Sequence, residues 1–236
     1  AYLVDSLLNA ETVKYFETRK ICQHTLKLAR VTESTEWMPK AAKEILTINF
    51  NYFRSGQLVN IKYRGKDKDF KLHKDAELIL YNLDNVTDST DLIIVEGEMD
   101  ALSFIEAGYL NVVSVPNGAK LQNNNLEYIS SSWDSISHIK RFILAVDNDD
   151  AGRSLRLDLA NRLGMSKCLY VEFDGAKDAN EYLVKNDINT FRKQLENLKE
   201  FPLEGSFTID DVYPQLETLY HKGLDMGVST DIPNFR

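Results

Sequence analysis

The residues with most chemical content are acids that directly follow apolar runs. Glu96 comes after Leu92-Ile93-Ile94-Val95, and Asp147 and Asp149 come after Phe142-Ile143-Leu144-Ala145-Val146. If the two runs are neighbouring strands, three carboxylates converge, and their repulsion must be offset by protons or a cation. A hard divalent ion is the natural solution. Mg²⁺ takes carboxylate oxygens while keeping waters and substrate phosphates, which is the setting of phosphoryl-transfer chemistry. Taken singly, each acid is better read as a cap on the helix that follows it. Gly97 and Gly152 weigh the other way, because a glycine just after each carboxylate permits a tight strand-to-helix turn and close approach of backbone to a ligand. The run DNDDAG is not an EF-hand loop: counted from Asp147, the fifth position is Ala151 and the twelfth is Asp158, where a bidentate Glu is required.

A second feature is basic. Between Asn60 and Lys74 lie Lys62, Arg64, Lys66, Lys68, Lys71 and Lys74, opposed only by Asp67 and Asp69. The ordinary explanation is a solvated hairpin turning at Gly65-Lys66-Asp67, whose charged edges discourage aggregation. Lys62 and Arg64 are two apart, so in an extended strand they share a face.

The elements that must position these residues differ along the chain. Up to about Val31, apolar residues at Val13, Phe16, Ile21, Leu26 and Leu28 suggest short helices. Ile48 to Phe53 alternates with period two before Ser55-Gly56, and strands over Leu58 to Tyr63 and near Phe70 to Leu72 complete an α+β region with antiparallel hairpins. From Leu92 the pattern becomes continuous apolar runs separated by helices. The runs are Leu92 to Val95, Val112 to Val115, Phe142 to Val146 and Cys168 to Phe173. One helix ends at Gly108, a second passes through Leu126, Ile129, Trp133 and Ile136, and a third has its inner face at Leu155, Leu159 and Leu163 and stops at Gly164. Such runs are what a parallel sheet covered on both faces requires. Open sheets of this kind bind ligands outside the carboxyl ends of their strands, where Glu96, Asp147 and Asp149 fall. After Pro202 comes a connector-like tail with a helix expected from about Pro214 to Tyr220.

Composition narrows the classes. The 236 residues are 43% hydrophobic and 27% charged, which excludes a disordered or low-complexity chain. No apolar run approaches the roughly 18–20 residues that cross a bilayer, so no membrane role is expected. The N-terminus lacks a basic region followed by a long apolar core and lacks an initiator Met, so the sequence reads as an internal fragment. Cys22 and Cys168 stand far apart, which argues against a disulfide framework or a zinc site and for a reducing, cytosolic setting. A net charge of −8 argues against a protein that coats nucleic acid generally, though not against a local basic site. His24, His73, His138 and His221 fall in no triad or HExxH pattern.

Read together, DLIIVEGEMDALSFIEAG (residues 91–108) and FILAVDNDDAGRSLRLDLANRLG (142–164) resemble a Toprim domain extending over about 90–190. YFETRKI (15–21), VNIKYRGKDKDFKL (59–72) leading to ILYNLDNV (79–86), VVSVPNGA (112–119) and KDANEYL (177–183) are similar to the primase half of bacteriophage and Twinkle-type primase-helicases. The resemblance implies an α/β fold, a Toprim domain with a central, mostly parallel sheet flanked by helices, preceded by a smaller α+β subdomain. The expected domains are a basic subdomain at 1–89, the Toprim domain at 90–198 and a connector toward a helicase domain at 199–236.

For the site, the resemblance implies Glu96 as metal ligand or general base, with Asp147 and Asp149 holding Mg²⁺ or Mn²⁺. It adds Asp100, one helical turn after Glu96, and Asp178, a late acidic position whose ordinary reading is a helix cap. Lys62, Arg64 and Lys71 would hold template and nucleotide phosphates. Lys66 and Lys68 would be turn residues beside backbone phosphates, and Lys177 would reach a phosphate beside Asp178. The implied activity is RNA primer synthesis on single-stranded DNA from ribonucleoside triphosphates, in partnership with a replicative helicase. The setting would be cytoplasmic, at a nucleoid or phage replication site, with an organelle equally compatible. A cysteine-rich zinc module and a GxxxxGK[ST] phosphate loop are both missing from the sequence, so no zinc is expected here. Other Toprim activities (nuclease or topoisomerase) and a non-catalytic DNA-binding or assembly module remain as alternatives. A receiver or dinucleotide-binding domain is disfavoured, since GxGxxG is absent and the basic hairpin and KDANEYL would have no role in it.

Overall fold

Each apolar run that the sequence sets between helices becomes a buried parallel strand. The computed structural model of the protein describes residues 8–121 and 124–202, with positions 213, 216, 217, 220 and 221 beyond them. Residues up to Phe201 form one unit and those from Pro202 a second. The expected 214–220 helix and the connector from residue 203 on lie outside the described residues, apart from those isolated positions, whereas residues 199–200 at the start of the expected connector are in strand.

The first unit holds two sheets. An antiparallel meander is built in chain order from β1 (Thr32–Met38), β2 (Lys43–Arg54), β3 (Gln57–Arg64) and β4 (Phe70–Leu72). It is preceded by α1 (Ala10–Thr18) and α2 (Gln23–Leu28). The second sheet comprises β5 (Asp91–Val95), β6 (Val112–Ser114), β7 (Arg141–Ala145), β8 (Cys168–Tyr170) and β9 (Lys199–Glu200), in the order β6-β5-β7-β8-β9. Its pairings are parallel except β8 with β9. The helices α3 (Glu98–Glu106), α4 (Glu127–Ser131), α5 (Trp133–Ile136), α6 (Asp150–Leu163), α7 (Ala179–Lys185) and α8 (Ile188–Lys193) follow in chain order. The fold is thus mixed α/β: a mostly parallel sheet flanked by helices, with a separate antiparallel sheet before it.

Three local expectations change. β1 has no counterpart in the sequence reading, because TESTEWM presents no apolar alternation. The helix read through Leu126 to Ile136 is two short helices, and the fourth run stays in strand only to Tyr170.

Two contacts fix how the sheets meet. Tyr81 forms an isolated bridge with Ser114 at the end of β6, its N–H donating to the Ser114 carbonyl at 2.9 Å. The Tyr81 ring, wholly buried, meets Phe50 and Tyr52 of β2 edge-on at 5.9 and 5.2 Å. The exposed half of the β2–β3 face therefore stands over the carboxyl ends of the parallel strands.

The β7-to-α6 turn depends on Gly152. A Cβ there would lie 2.1 Å from the Asp147 carbonyl oxygen, well inside any permitted contact. Helix α6 starts tight against the strand end, and no side chain fits between. Gly152→Ala should lower stability by about 1–3 kcal/mol, as overpacking does, and reduce Tm by several degrees in thermal unfolding. An unchanged Tm would show that the turn can open without cost.

Candidate active site

Strand order explains why the acids meet. β5 connects outward to β6 on one side and β7 to β8 on the other, so the topological switch point lies between β5 and β7. These strands pair directly, with Val95 opposite Ala145, so Glu96 and Asp147 leave adjacent strand ends. They line one cavity of about 550 Å³ together with Asp100 and Asp178. Across it stand Lys62, Arg64, Lys68 and Phe70 from the antiparallel sheet and its turn, with Arg19 just beyond α1.

Each acid has a distinct environment. Glu96 Oε1 accepts from the Ala119 N–H at 3.1 Å, whereas Oε2 is buried without a partner. Burial first, and then the charge of Asp147, push its carboxyl up to about 7. Asp147 is also raised, because burial outweighs its contact with the Lys177 ammonium at 3.0 Å. Asp149 is lowered, chiefly because it caps α6 by accepting the Gly152 N–H at 2.9 Å. The capping reading and the site reading thus hold for the same residue. Asp100 is raised well above the usual carboxylate range, first by burial and then by Asp178, although its Oδ1 accepts the Asn180 N–H at 3.0 Å. Asp178 caps α7 by accepting the Glu181 N–H at 2.7 Å.

The cationic side departs from expectation in several places. Lys62, expected to hold phosphates, is bound to Glu98 and to the Pro116 carbonyl. Lys71 is among the residues lining the cavity, but it sits opposite Tyr63 while Lys62 sits opposite Leu72, so the pleat turns its side chain to the other face, where the ammonium meets Glu36 at 3.1 Å and the Trp37 carbonyl at 2.9 Å. Lys66 is exposed and absent from the cavity lining, which Lys68 reaches instead. Lys177 spans Asp147 and Asp149 at 3.0 and 3.2 Å. Its loop is pinned by Asn148, whose N–H donates to the Lys177 carbonyl at 2.7 Å and whose side-chain amide donates to the Phe173 and Ala176 carbonyls at 2.8 Å. Among the described residues, Arg64 makes no hydrogen bond or ion pair through its side chain, and its guanidinium lies 5.6 Å from the Tyr15 ring and 5.3 Å from the Phe70 ring.

Sequence reasoning passes over Glu98, Arg19, Asn180 and Asn148. Arg19 and Glu98 lie inside the quoted motifs YFETRKI and EGEMD, so the signal is present, but their partners are up to 161 positions away, as in the Arg19 contact with Asn180 Oδ1 at 3.2 Å.

The carboxylates are hard oxygen donors, and the unpartnered Glu96 Oε2 is the orphaned group that a cation would satisfy; in these respects the residues fit a divalent ion. Among the described residues, no three acidic, imidazole or thiolate groups are drawn closely enough around one point to hold an ion, and Lys177 supplies the positive charge at Asp147 and Asp149.

The raised Glu96 group gives a pH signature. Its folded carboxyl titrates near 7 against an ordinary value of 4.5, so the stability conferred by its proton is whole below about 4.5 and lost as pH rises through about 7. With divalent ions chelated, Glu96→Gln should raise Tm by a few degrees at pH 8, and the two proteins should converge toward pH 4.5 in thermal melts. Parallel curves across that range would mean that the carboxyl ionises freely.

A model of the Toprim-like family matches residues 93–183. Over 95% of its length the chain is 32% identical to a Twinkle homolog protein, chloroplastic/mitochondrial, of Arabidopsis thaliana, and spans 33% of that protein. It is 33% identical over 83% of its length to a primase homolog protein of the same plant, covering 61% of it. The chain therefore spans between about a third and three fifths of these curated relatives. The crystal structure of the primase fragment of the bacteriophage T7 primase-helicase superposes with a TM-score of 0.63 at 23% identity, covering 80% of this chain and 79% of that one, and so shares the fold. The acid-lined switch point, the facing basic sheet and these likenesses agree: the chain carries a primase-like Toprim domain related to the primase-helicases.

Proposed function

We propose that the chain is the nucleotidyl-transfer part of a DNA primase, joining ribonucleotides on a single-stranded DNA template next to a replicative helicase. The observation that carries this reading is the cavity in which Glu96, Asp147, Asp100 and Asp178 face Arg64, Lys68 and Arg19. Carboxylates on one wall and cations on the other suit a polyphosphate bridged by divalent ions better than a neutral substrate.

Glu96, Asp147 and Asp149 would hold Mg²⁺ or Mn²⁺, with Asp100 and Asp178 behind them. The ion, when bound, would neutralise charge on the α-phosphate as a 3′-hydroxyl attacks and pyrophosphate leaves. The chain's own residues bind and orient. Arg64, held between two aromatic faces, presents its planar fork toward phosphate oxygens. Lys177 is 53% exposed, so it can turn from Asp147 toward a phosphate once a cation takes over its place at the aspartates. The 3′-hydroxyl proton would pass to water or to the Glu96 carboxylate. Reactivity rests on positioning and fixed charge, with no covalent intermediate on the protein.

A second reading, a Toprim module that binds DNA or an attached helicase without catalysing, is favoured by the ion pairs of Lys177, which satisfy Asp147 and Asp149 without a metal. Among the described residues, no helix is long and apolar enough to cross a membrane. The organelle named for the Arabidopsis Twinkle homolog protein makes an organellar replication site as compatible as a nucleoid.

One assay separates the readings. With Mg²⁺ or Mn²⁺, ribonucleoside triphosphates and single-stranded template, the protein should make short RNA. Asp147→Ala and Asp149→Ala should each cut synthesis by about 10²-fold or more, Asp149→Ala also lowering Tm by a few degrees through loss of the α6 cap. Equal synthesis by wild type and variants would refute the catalytic assignment, and no synthesis by wild type with intact template binding would favour the binding module. Arg64→Ala should weaken single-strand binding and flatten the plot of log affinity against log salt by about 0.7, one phosphate contact. An unchanged slope would remove Arg64 from the interface.

A further inference from the structure

Glu98 belongs to none of the roles above, yet it is a buried carboxylate, 4% exposed, in the first turn of α3. Its Oε1 accepts from the Tyr52 hydroxyl at 2.6 Å and from Lys62 Nζ at 2.8 Å, and its Oε2 accepts from Lys62 Nζ at 3.1 Å. Lys62 Nζ donates at 2.8 Å to the Pro116 carbonyl as well. An ammonium has three donors, and here Glu98 Oε1, Glu98 Oε2 and Pro116 O are three acceptors for them. The Lys62 side chain is only 13% exposed. Its ammonium is thus engaged by a buried counter-charge and a main-chain carbonyl.

What Lys62 grips lies on both sides of Glu96. On one side is Glu98, two residues along the chain. On the other is Pro116, which opens the segment Pro116-Asn117-Gly118-Ala119, whose Ala119 N–H holds Glu96 Oε1 at 3.1 Å. Gly118 adopts a positive φ of +64°, and a Cβ there would stand 3.8 Å from Glu96 Oε1, so the segment curls around that carboxylate. The antiparallel sheet thus reaches across the cavity through Tyr52 and Lys62, ties down the start of α3 and the 116–119 segment, and leaves Glu96 bracketed between them.

We infer that Lys62, Glu98 and Tyr52 form an internal strut whose task is to position Glu96, and that Lys62 is a positioning residue and not a phosphate ligand. This inference rests on the proposed metal-dependent reading of the cavity and adds to it the device that sets the geometry of one carboxylate. Because the pair is buried, removing either charge strands the other, whereas removing both together relieves the imbalance. The two residues should therefore be energetically coupled.

The test uses Lys62→Met, Glu98→Gln and the double variant in the full 236-residue chain. Near-UV circular dichroism and Tm establish folding. Two quantities are then read: the affinity for Mn²⁺ alone, from the EPR signal of free Mn²⁺, and the salt dependence of binding to oligo(dT). Each single variant should weaken Mn²⁺ binding by about tenfold, and the double variant should be no weaker than the worse single one. The salt slope should stay at the wild-type value in all three. Where a single variant does not fold, Tyr52→Phe, which removes only a hydroxyl, should show a smaller loss of Mn²⁺ affinity of the same sign. A slope flattened by about 0.7 in Lys62→Met but not in Glu98→Gln would make Lys62 a phosphate contact and overturn the inference. Wild-type Mn²⁺ affinity in folded variants would overturn it too, because a strut that does not position Glu96 has no such role. Wild-type protein that binds no Mn²⁺ would instead remove the functional reading on which the strut depends.

Discussion

Like charges gathered where water is scarce must be neutralised, and most features of this molecule follow from that constraint. The parallel pairing of β5 with β7 sends Glu96 and Asp147 out of adjacent strand ends into one cavity, where Asp100 and Asp178 join them. Burial first, and then the neighbouring carboxylates, drive Glu96, Asp147 and Asp100 toward their protonated forms. The protein offsets the remaining charge with main-chain N–H groups at Asp149, Asp178 and Asp100, with the Lys177 ammonium, and with a facing wall of basic side chains. One carboxylate oxygen, Glu96 Oε2, is buried and, among the described residues, has no hydrogen-bond partner of ordinary geometry.

The antiparallel sheet serves that constraint from the opposite side. Its β2–β3 face is apolar where Phe50 and Tyr52 enter the core against Tyr81, and cationic where it overhangs the cavity. One sheet therefore supplies both an anchor, on β2, and a charged wall, on β3 and the turn that follows it. Arg64 is oriented by two aromatic faces and Lys62 by a buried acid, so neighbouring cations on one strand take different roles.

Much of this is legible in the amino-acid sequence. LIIV and FILAV read as strands buried on both faces, and acids at their ends fall where open sheets place ligands. Convergence depends on the strands being neighbours, a tertiary fact that spacing does not contain. β1 escapes pattern reading because its inward and outward positions carry similar polar residues, and pairing with β2 is what holds it extended. Lys71 falls on the face opposite to the one expected because the 3-10 turn at Lys66–Lys68 sets the register of β4 against β3, and a shift of one residue inverts a strand. Lys62 marks the other limit. Its type and strand position suit a phosphate, and only the buried Glu98, 36 positions away, shows where its donors go.

Asn148 has a kinetic implication. With its main chain and side-chain amide both fastened to the 173–177 segment, the backbone carrying Lys177 is not free to swing as a flap. The ammonium can leave the aspartates only by breaking both ion pairs and rotating about its own carbon–carbon bonds, with no loop rearrangement. Exchange of that tethered ammonium for another positive charge at this crevice would then be governed by the two ion pairs and not by any opening of the protein.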